Sequence, residues 1–293
     1  MDYKRILLPF TGSDRHVGIL PAAFKVGKTF NACCEVLFIR PELYQALPYL
    51  GDAAPGVVVK EIVESVNQAA DASMAHLRTA VAEASKAAGA RLVEDKVPSG
   101  KFVVRVVEQS GDSISVAAER SRLVDLGIFV GGEGHSEIVT SGALTGLLMK
   151  TGRPALVIPG TSYAGNVGQN VIIAWDGGTE SANAVRGALP FLKRAMSVRV
   201  LKARRFDEES ALPISDVESL GIYLDVHDIE RTEATIDAGS RGVAKALLEE
   251  AVGSKADLLV MGAYGHSRVR EFIVGGVTQH ILEHTTIPVL IAH

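Results

Sequence analysis

The sequence repeats itself, because three apolar segments of the first half have counterparts in the second half in the same order. The matched pairs are 5–13 with 170–178, 124–130 with 256–261, and 153–158 with 287–292. In the first pair, each segment runs from an apolar stretch into a glycine turn. Three ordered matches indicate a duplication, so the chain is expected to fold as two related units.

The segments between these matches predict the fold class. Short apolar stretches alternate with longer ones of helical period, which is typical of a parallel sheet covered by helices on both faces. The fold class is therefore α/β, with two tandem open parallel five-stranded sheets. Domains are predicted at 1–160 and 170–293, joined by a glycine-rich linker at 161–169. Strands are predicted at 4–9, 34–39, 90–95, 125–130, 154–158, 170–175, 197–203, 222–228, 257–261 and 288–292, and helices at 61–88, 179–195, 237–253 and 276–286.

Composition excludes several classes of protein. Of the 293 residues, 47% are hydrophobic and the formal net charge is −4. This is a globular composition without the basic run or aromatic platform that a nucleic-acid groove needs. Cys33 and Cys34 are adjacent, which prevents an ordinary disulfide and gives no metal-ligand spacing. With no signal-peptide pattern and no membrane-length apolar run, we expect a cytoplasmic protein without a membrane partner.

The most informative segment follows the predicted fourth strand of the second half. Gly262 and Gly265 are followed, after nine intervening residues, by Gly275 and Gly276, where the last helix is predicted to begin. Glycines let the backbone approach a ligand closely, and a helix N-terminus presents unpaired N–H groups. In open α/β sheets, ligands lie outside the carboxyl ends of strands. The segment predicts a phosphate site, with a connection needed only for packing as the alternative.

The pattern Gly-x-x-Gly, nine residues, Gly-Gly-Val-Thr resembles the nucleotide-binding signature of the universal stress protein family, and the resemblance covers nearly the whole chain as a tandem pair. It implies a fold similar to that of the adenine-nucleotide alpha hydrolases, with ATP or AMP, with or without Mg²⁺, as ligand. Carried over by position, Asp176 and Ala203 meet the adenosine end. The strand end Met261-Gly262 precedes the loop, His266 is either a γ-phosphate contact or a solvated charge, and the residues around the phosphates are Gly265, Gly275, Gly276, Val277 and Thr278.

Both halves depart from the family's signature. Gly276 stands where serine or threonine is usual, which removes one side-chain hydrogen bond to phosphate. In the first half, Thr11 occupies the position of Asp176, Glu133 brings a negative charge to the equivalent loop, and that loop is three residues shorter. The first half is therefore predicted to be a structural or regulatory unit whose nucleotide site has degenerated.

Two other patterns predict no site. The triplet Gly27–Thr29 resembles the end of a P-loop, but Ala22 stands where the motif's first glycine belongs, and the triplet lies at the far end of a predicted helix. His280 and His284 share a helix face without a third ligand, which favours solvated surface over a metal site. No nucleophile and base pair is evident, so no catalytic residue is assigned.

Three functions stay open. The leading one is a nucleotide-binding regulatory or stress-response protein, and the alternatives are an ATP hydrolase or adenylyl-transfer enzyme of related fold and a scaffold without nucleotide. The resemblance also implies pairing of edge strands. Because two halves of one chain can satisfy each other, 154–158 is expected to lie beside 288–292 in an internal pseudo-dimer, with a further homodimer left open.

Overall fold

The computed structural model describes residues 2–10, 14–42, 56–94, 97–98, 100–131, 142–160, 163–204, 214–263 and 276–293. The strands are β1 (Arg5–Phe10), β2 (Cys33–Arg40), β3 (Arg91–Leu92), β4 (Val103–Ser110), β5 (Leu126–Gly131), β6 (Ala155–Pro159), β7 (Asn170–Ala174), β8 (Ser197–Arg204), β9 (Thr232–Asp237), β10 (Leu258–Gly262) and β11 (Val289–Ala292). The α-helices are α1 (Leu20–Thr29), α2 (Gly56–Ala88), α3 (Ser113–Ser121), α4 (Gly142–Thr151), α5 (Thr179–Leu192), α6 (Ile214–Asp225), α7 (Val243–Gly253) and α8 (Gly276–His284), and short 3₁₀ helices span Asp14–Ile19 and Gly239–Arg241.

These strands form one continuous sheet in the order β3-β4-β2-β1-β5-β6-β11-β10-β7-β8-β9. Neighbouring strands are parallel within each half. The two halves meet at β6 and β11, which pair antiparallel with Leu156 opposite Leu290. The expected placement of 154–158 beside 288–292 is therefore confirmed. Reading outward from this junction, both halves follow the same order of strands, and the first half adds the two-residue β3 at its edge.

The core lies in two layers, one on each face of the sheet. Strands β6 and β11 are buried along their whole length, as continuous apolar segments of a covered parallel sheet should be. Helices α1, α2, α5 and α6 cover one face, while α3, α4, α7 and α8 cover the other. Among the described helices, none combines the length and the apolarity needed to cross a membrane.

In each half, one aspartate links two neighbouring strands, β1 and β5 in the first half and β7 and β10 in the second. Asp257 precedes β10, and its Oδ1 accepts hydrogen bonds from the main-chain N–H groups of Gly168, Gln169 and Asn170 at 3.1, 2.8 and 2.8 Å. Asp125 precedes β5 and its Oδ2 accepts from two main-chain N–H groups just before and at the start of β1, at 2.7 and 2.9 Å. The same residue type makes the same local contact in both halves, at positions that the sequence repeat had matched.

Two predicted strands were wrong, and both belong to the outer parts of the sheet. The segment 222–228 lies in α6 and the turn after it, since Leu220 and Leu224 are buried one helical turn apart. The edge strand of the second half is β9, which alternates exposed and half-buried residues and so carries little hydrophobic signal. In the first half, the predicted strand at 90–95 shrinks to β3, and the long strand there is β4.

Aromatic and polar contacts fasten the halves on the α1 and α5 side of the sheet. Tyr3 packs edge-on against Phe30 and Phe191, with ring centroids 4.9 and 5.5 Å apart, and its hydroxyl donates to the carbonyl of Gly187 in α5. Arg194, just past α5, donates through Nη1 and Nη2 to the Asp2 carboxylate at 2.8 and 3.1 Å. The C-terminal part of α5 and the residues just after it therefore hold the N-terminal residues of the first half against the second half.

The P-loop-like triplet has a packing explanation. Gly27 lies near the end of α1, as the sequence predicted for the triplet, and a Cβ atom there would meet the Phe102 ring at 2.9 Å and the Cys34 sulfur. Cys33 and Cys34 are free and buried, and burial raises the pKa of both thiols. The glycine is thus needed for close packing against β2.

At Gly262, strand β10 closely approaches helix α5. A Cβ atom at this position would lie 2.6 Å from the main-chain N of Ser181 and 2.8 Å from the carbonyl carbon of Glu180. Both belong to the first turn of α5. Only a residue without a side chain lets the strand end and that helical turn come so close.

We predict that Asp257→Ala lowers the free energy of unfolding by about 2–4 kcal/mol, because three main-chain N–H groups lose a charged acceptor. Urea denaturation of the full chain measures the change. Asp125→Ala, which frees two N–H groups, is expected to cost less, and Glu230→Ala at an exposed site serves as the control. An Asp257→Ala variant no less stable than the control would contradict the role assigned to this carboxylate.

We also predict that Gly262→Ala destabilises the protein by about 1–3 kcal/mol, because the added methyl group forces β10 and α5 apart. Gly253→Ala is the matched control, since a Cβ atom there meets nothing within 4 Å among the described residues. That control is expected to be neutral or stabilising by up to about 1 kcal/mol. Equal urea midpoints for the two variants would argue against the close approach.

Candidate functional site

Three neighbouring strands of the second half end at the same edge of the sheet. In the register of β10, β7 and β8, Met261 lies opposite Ala174 and Ala174 opposite Leu201. Because neighbouring strands are about 4.8 Å apart, the segments that follow these positions lie side by side. This edge brings together Gly262, Asp176 and Ala203, which are far apart in the sequence. Three of the residues predicted for the ligand site are thus assembled by topology alone.

The N-terminus of α8 faces this same edge. Strands β10 and β11 are parallel neighbours with Gly262 opposite Ala292, and α8 is the connection between them. A helix that joins two parallel strands runs back along the sheet, so its first turn lies beside the carboxyl ends. The first four N–H groups of a helix have no partner within it and carry its positive dipole end. Gly276 is exposed there, and no described atom lies within 4 Å of where its Cβ would be.

Asp176 is held in a tight turn at the mouth of the site. The residue is exposed, and its Oδ1 accepts the main-chain N–H of Gly178 at 2.9 Å. Gly177 has a positive φ of 77°, which glycine adopts without strain. A Cβ atom on Gly178 would approach the Asp176 Oδ1 to 3.1 Å. The two glycines therefore let the chain turn around the carboxylate and fix its direction.

Trp175 adds a feature that sequence reasoning did not identify. Its ring is only 9% exposed and packs in the core layer of α5 and α6, while its main-chain N–H donates to the Leu201 carbonyl at 2.9 Å. The indole Nε1 is buried and has no hydrogen-bond partner within the described ranges. A buried tryptophan N–H usually finds an acceptor. The sequence signal was the single tryptophan directly before Asp176.

The other predicted site residues differ in burial, and three of them lie outside the described residues. The side chains of Met261 and Thr278 are 5% and 4% exposed, so they pack into the core. Ala203 is half-buried on β8, and Val277 is half-buried in the first turn of α8. Gly265, His266 and Gly275 lie outside the described residues. The main-chain N–H groups of Gly276, Val277 and Thr278 are the groups available for an anion.

The first half provides a comparison at the equivalent position. The prolines before β6 and β11 align Gly142, at the start of α4, with Gly276 at the start of α8. A Cβ atom on Gly142 would collide with the Ser113 hydroxyl oxygen and lie 3.0 Å from Ile114 Cγ1. One turn further on, a Cβ atom on Gly146 would collide with the carbonyl oxygen of Ile114. Thus α3 packs against the first turn of α4 at Gly142, whereas no described atom lies within 4 Å of the Cβ position of Gly276 at the start of α8. Thr11 and Glu133 lie outside the described residues.

The metal-ligating side chains of the described residues do not gather into a site. Within the described ranges, His, Cys, Asp and Glu side chains form no group of three that could hold a metal ion. The rings of His280 and His284 stack with centroids 4.2 Å apart, and His284 Nδ1 lies 2.9 Å from the His280 carbonyl oxygen. A single pair of this kind on one helix leaves a metal ion without a full ligand set.

Known proteins resemble this chain in sequence and in fold. Residues 168–293 match the model of the universal stress protein family. A stretch of 34 residues is 56% identical to a universal stress protein of Synechocystis sp., and this match spans only 12% of the present chain and 12% of that relative.

Solved structures match over the whole chain. The crystal structure of a universal stress protein from Archaeoglobus fulgidus has a TM-score of 0.67 at 16% identity, covering 98% of this chain and 97% of that one. A functionally unknown protein from Pseudomonas aeruginosa has a TM-score of 0.55 at 14% identity, covering 99% and 92%. At such identities the structural matches establish the fold. The match to the universal stress protein family rests on residues 168–293, and the structural matches extend a shared fold over the whole chain.

Proposed function

We propose that the second half of this chain binds an adenine nucleotide, ATP or AMP, and that occupancy regulates the protein in a stress response. The observation that carries the proposal is the exposed Gly276, which begins α8 beside the carboxyl ends of β7 and β10 and has no described atom within 4 Å of its Cβ position. Family membership supports a stress-related role, while the choice of ligand rests on this geometry and on the sequence signature.

The phosphates are proposed to lie against the first turn of α8. The N–H groups of Gly276, Val277 and Thr278 point out of the helix start, where the dipole favours negative charge. A hydrogen bond to a charged acceptor contributes about 1.5–3 kcal/mol, so a few of them can hold a di- or triphosphate in place. The absence of a side chain at Gly276 leaves room for the anion, and it also leaves out the hydroxyl that family members usually supply.

The adenosine is proposed to lie over the ends of β7 and β8. Asp176 provides an exposed carboxylate whose direction is set by its bond to Gly178, and it suits a hydroxyl or amino donor. Ala203, at the end of β8, is small enough for a flat ring to approach. Trp175 lies directly before Asp176 and so provides a spectroscopic probe of this end.

The first half is proposed to serve as a structural or regulatory partner. The packing of Ser113 and Ile114 against Gly142 fills the space where an anion would meet the first turn of α4. An equivalent phosphate site would require α3 to move away from α4. One nucleotide per chain is therefore the expected stoichiometry.

Binding and turnover measurements on the purified protein distinguish this function from the two alternatives. Mild denaturation that releases an adenine nucleotide, or a titration with one nucleotide bound per chain, favours a binding protein. Turnover of ATP well above the background rate would instead identify a hydrolase or adenylyl-transfer enzyme. If neither ATP nor AMP binds at millimolar concentration, the chain is a scaffold and the proposal fails.

We predict that ATP changes the fluorescence of Trp175 and that Gly265→Asp abolishes the change. The variant places a negative charge in the predicted phosphate loop, which repels the ligand. Circular dichroism confirms that the variant is folded, and a titration with AMP compares the two nucleotides. A variant that responds as strongly as the native protein would contradict the assigned loop.

We further predict that Gly276→Ser lowers the Kd for ATP about three- to tenfold, because it restores one hydroxyl hydrogen bond to phosphate. Gly276→Ala is the matched control, since it adds the same Cβ atom without the hydroxyl. Serine can also stabilise a helix start, so thermal stability without nucleotide is measured in parallel. Equal Kd values for the serine and alanine variants would place the phosphates elsewhere.

A further inference from the structure

Three arginines of the first half surround one buried glutamate on the face covered by α3. Glu35 on β2 is fully buried, and its Oε2 lies 3.0 Å from Arg5 Nη2 and 3.8 Å from Arg105 Nε. Its Oε1 lies 3.8 Å from Arg120 Nη1 on α3. We call Arg5, Arg105 and Arg120 the arginine cluster.

The arginine cluster has an excess of positive charge at its centre. One carboxylate faces three guanidinium groups, and only the contact of Arg5 is short enough for a hydrogen bond. Arg105 Nε and Glu35 Oε1 are buried without hydrogen-bond partners among the described residues. The arginine side chains are 28–35% exposed, so an ion from solvent can reach part of the cluster.

Two further acids lie nearby, but among the described residues only Glu35 comes within 4 Å of the guanidinium groups of the cluster. The Glu119 carboxylate accepts a hydrogen bond from Gln109 Nε2 at 3.2 Å. The side-chain oxygen of Gln109, Oε1, in turn accepts a hydrogen bond from Arg120 Nε at 2.5 Å. The Asp125 carboxylate, beside Arg5, accepts from main-chain N–H groups at the start of β1. Of these carboxylates, only that of Glu35 pairs directly with the guanidinium groups.

The second half reveals that the fold does not need this arrangement. By strand register, Glu35 corresponds to Arg199, which pairs with Glu250 on α7 at 2.6 Å. Arg5 corresponds to Asn170, and Arg105 corresponds to Thr232. One balanced ion pair therefore suffices to join strand and helix there. The two additional arginines of the first half call for another explanation.

We propose that the arginine cluster is a binding site for a compact oxyanion with two negative charges, such as inorganic phosphate or a phosphate monoester. Guanidinium groups match the oxygens of phosphate with two parallel N–H donors, and an ionic partner makes these bonds strong. A dianion balances the two positive charges that Glu35 leaves uncompensated. The proposal rests on the first half alone and is independent of nucleotide binding in the second.

The primary test is a titration of the full chain with inorganic phosphate at constant ionic strength. Side-chain Nε–Hε NMR signals of Arg105 and Arg120 are followed together with the thermal midpoint. We expect saturable shifts of both signals and a rise of the midpoint, because a ligand that binds the folded state stabilises it. Unchanged arginine signals at saturating phosphate overturn the proposal.

Variants locate the site. Arg120→Gln is expected to weaken phosphate binding about tenfold or more, while Arg120→Lys, which keeps the charge but loses the planar fork, is expected to weaken it less. Glu35→Gln removes the competing carboxylate and is expected to tighten binding. Arg199→Gln is the matched control in the second half and leaves binding unchanged. Phosphate affinities that are equal in the native protein and both Arg120 variants overturn the assignment.

Two further experiments distinguish which site binds the phosphate and whether a free or an esterified phosphate is preferred. Gly265→Asp disturbs the proposed nucleotide loop, so a phosphate response that survives in this variant belongs to the arginine cluster. A response lost there but kept in Arg120→Gln belongs to the nucleotide site and overturns this proposal. Phenyl phosphate is titrated beside inorganic phosphate, and the tighter of the two identifies an esterified or a free phosphate as the natural ligand class.

Discussion

Strands β6 and β11 are buried along their whole length, and neither could be left at an open edge without inviting association with another chain. Their antiparallel pairing satisfies both edges within one molecule. It also fixes the direction of each half, because every strand of a half runs parallel to its own member of the pair. The carboxyl ends of the two half-sheets therefore lie at opposite ends of the continuous sheet. The orientation of each site in the molecule follows from this one junction.

One consequence concerns the arginine cluster and the candidate nucleotide site. The cluster lies near the amino ends of β1, β2 and β4, whereas the nucleotide site lies at the carboxyl ends of β7, β8 and β10. Because the halves run in opposite directions, these two locations lie at the same end of the sheet. Helices α3 and α8, which flank them, cover the same face.

The sequence predicted the inner part of each half better than the outer part. Strands such as β6 and β11 are continuous apolar runs because both of their faces are covered, and such runs are visible without any structure. At the edges, β9 mixes exposed and half-buried residues, while Ile222 in α6 and Val226 in the turn after it are exposed. Hydrophobicity alone therefore led to the wrong element. Glycine spacing located the start of α8, but it could not reveal the buried Nε1 of Trp175. That feature depends on how α5 and α6 pack over the strand.

The contrast between Gly142 and Gly276 explains how two halves of one fold can differ in function without differing in topology. Both glycines begin the helix that precedes the junction strand, and both helix starts carry the same dipole. In the first half, α3 and α4 are in close contact, and Ser113 and Ile114 occupy the space that a side chain on Gly142 would need. In the second half, the close contact is made instead by Gly262 against the first turn of α5, on the other side of the strand end. Among the described residues, the Cβ position of Gly276 is open where that of Gly142 is occupied, and this difference is the structural basis for proposing a ligand site in the second half alone.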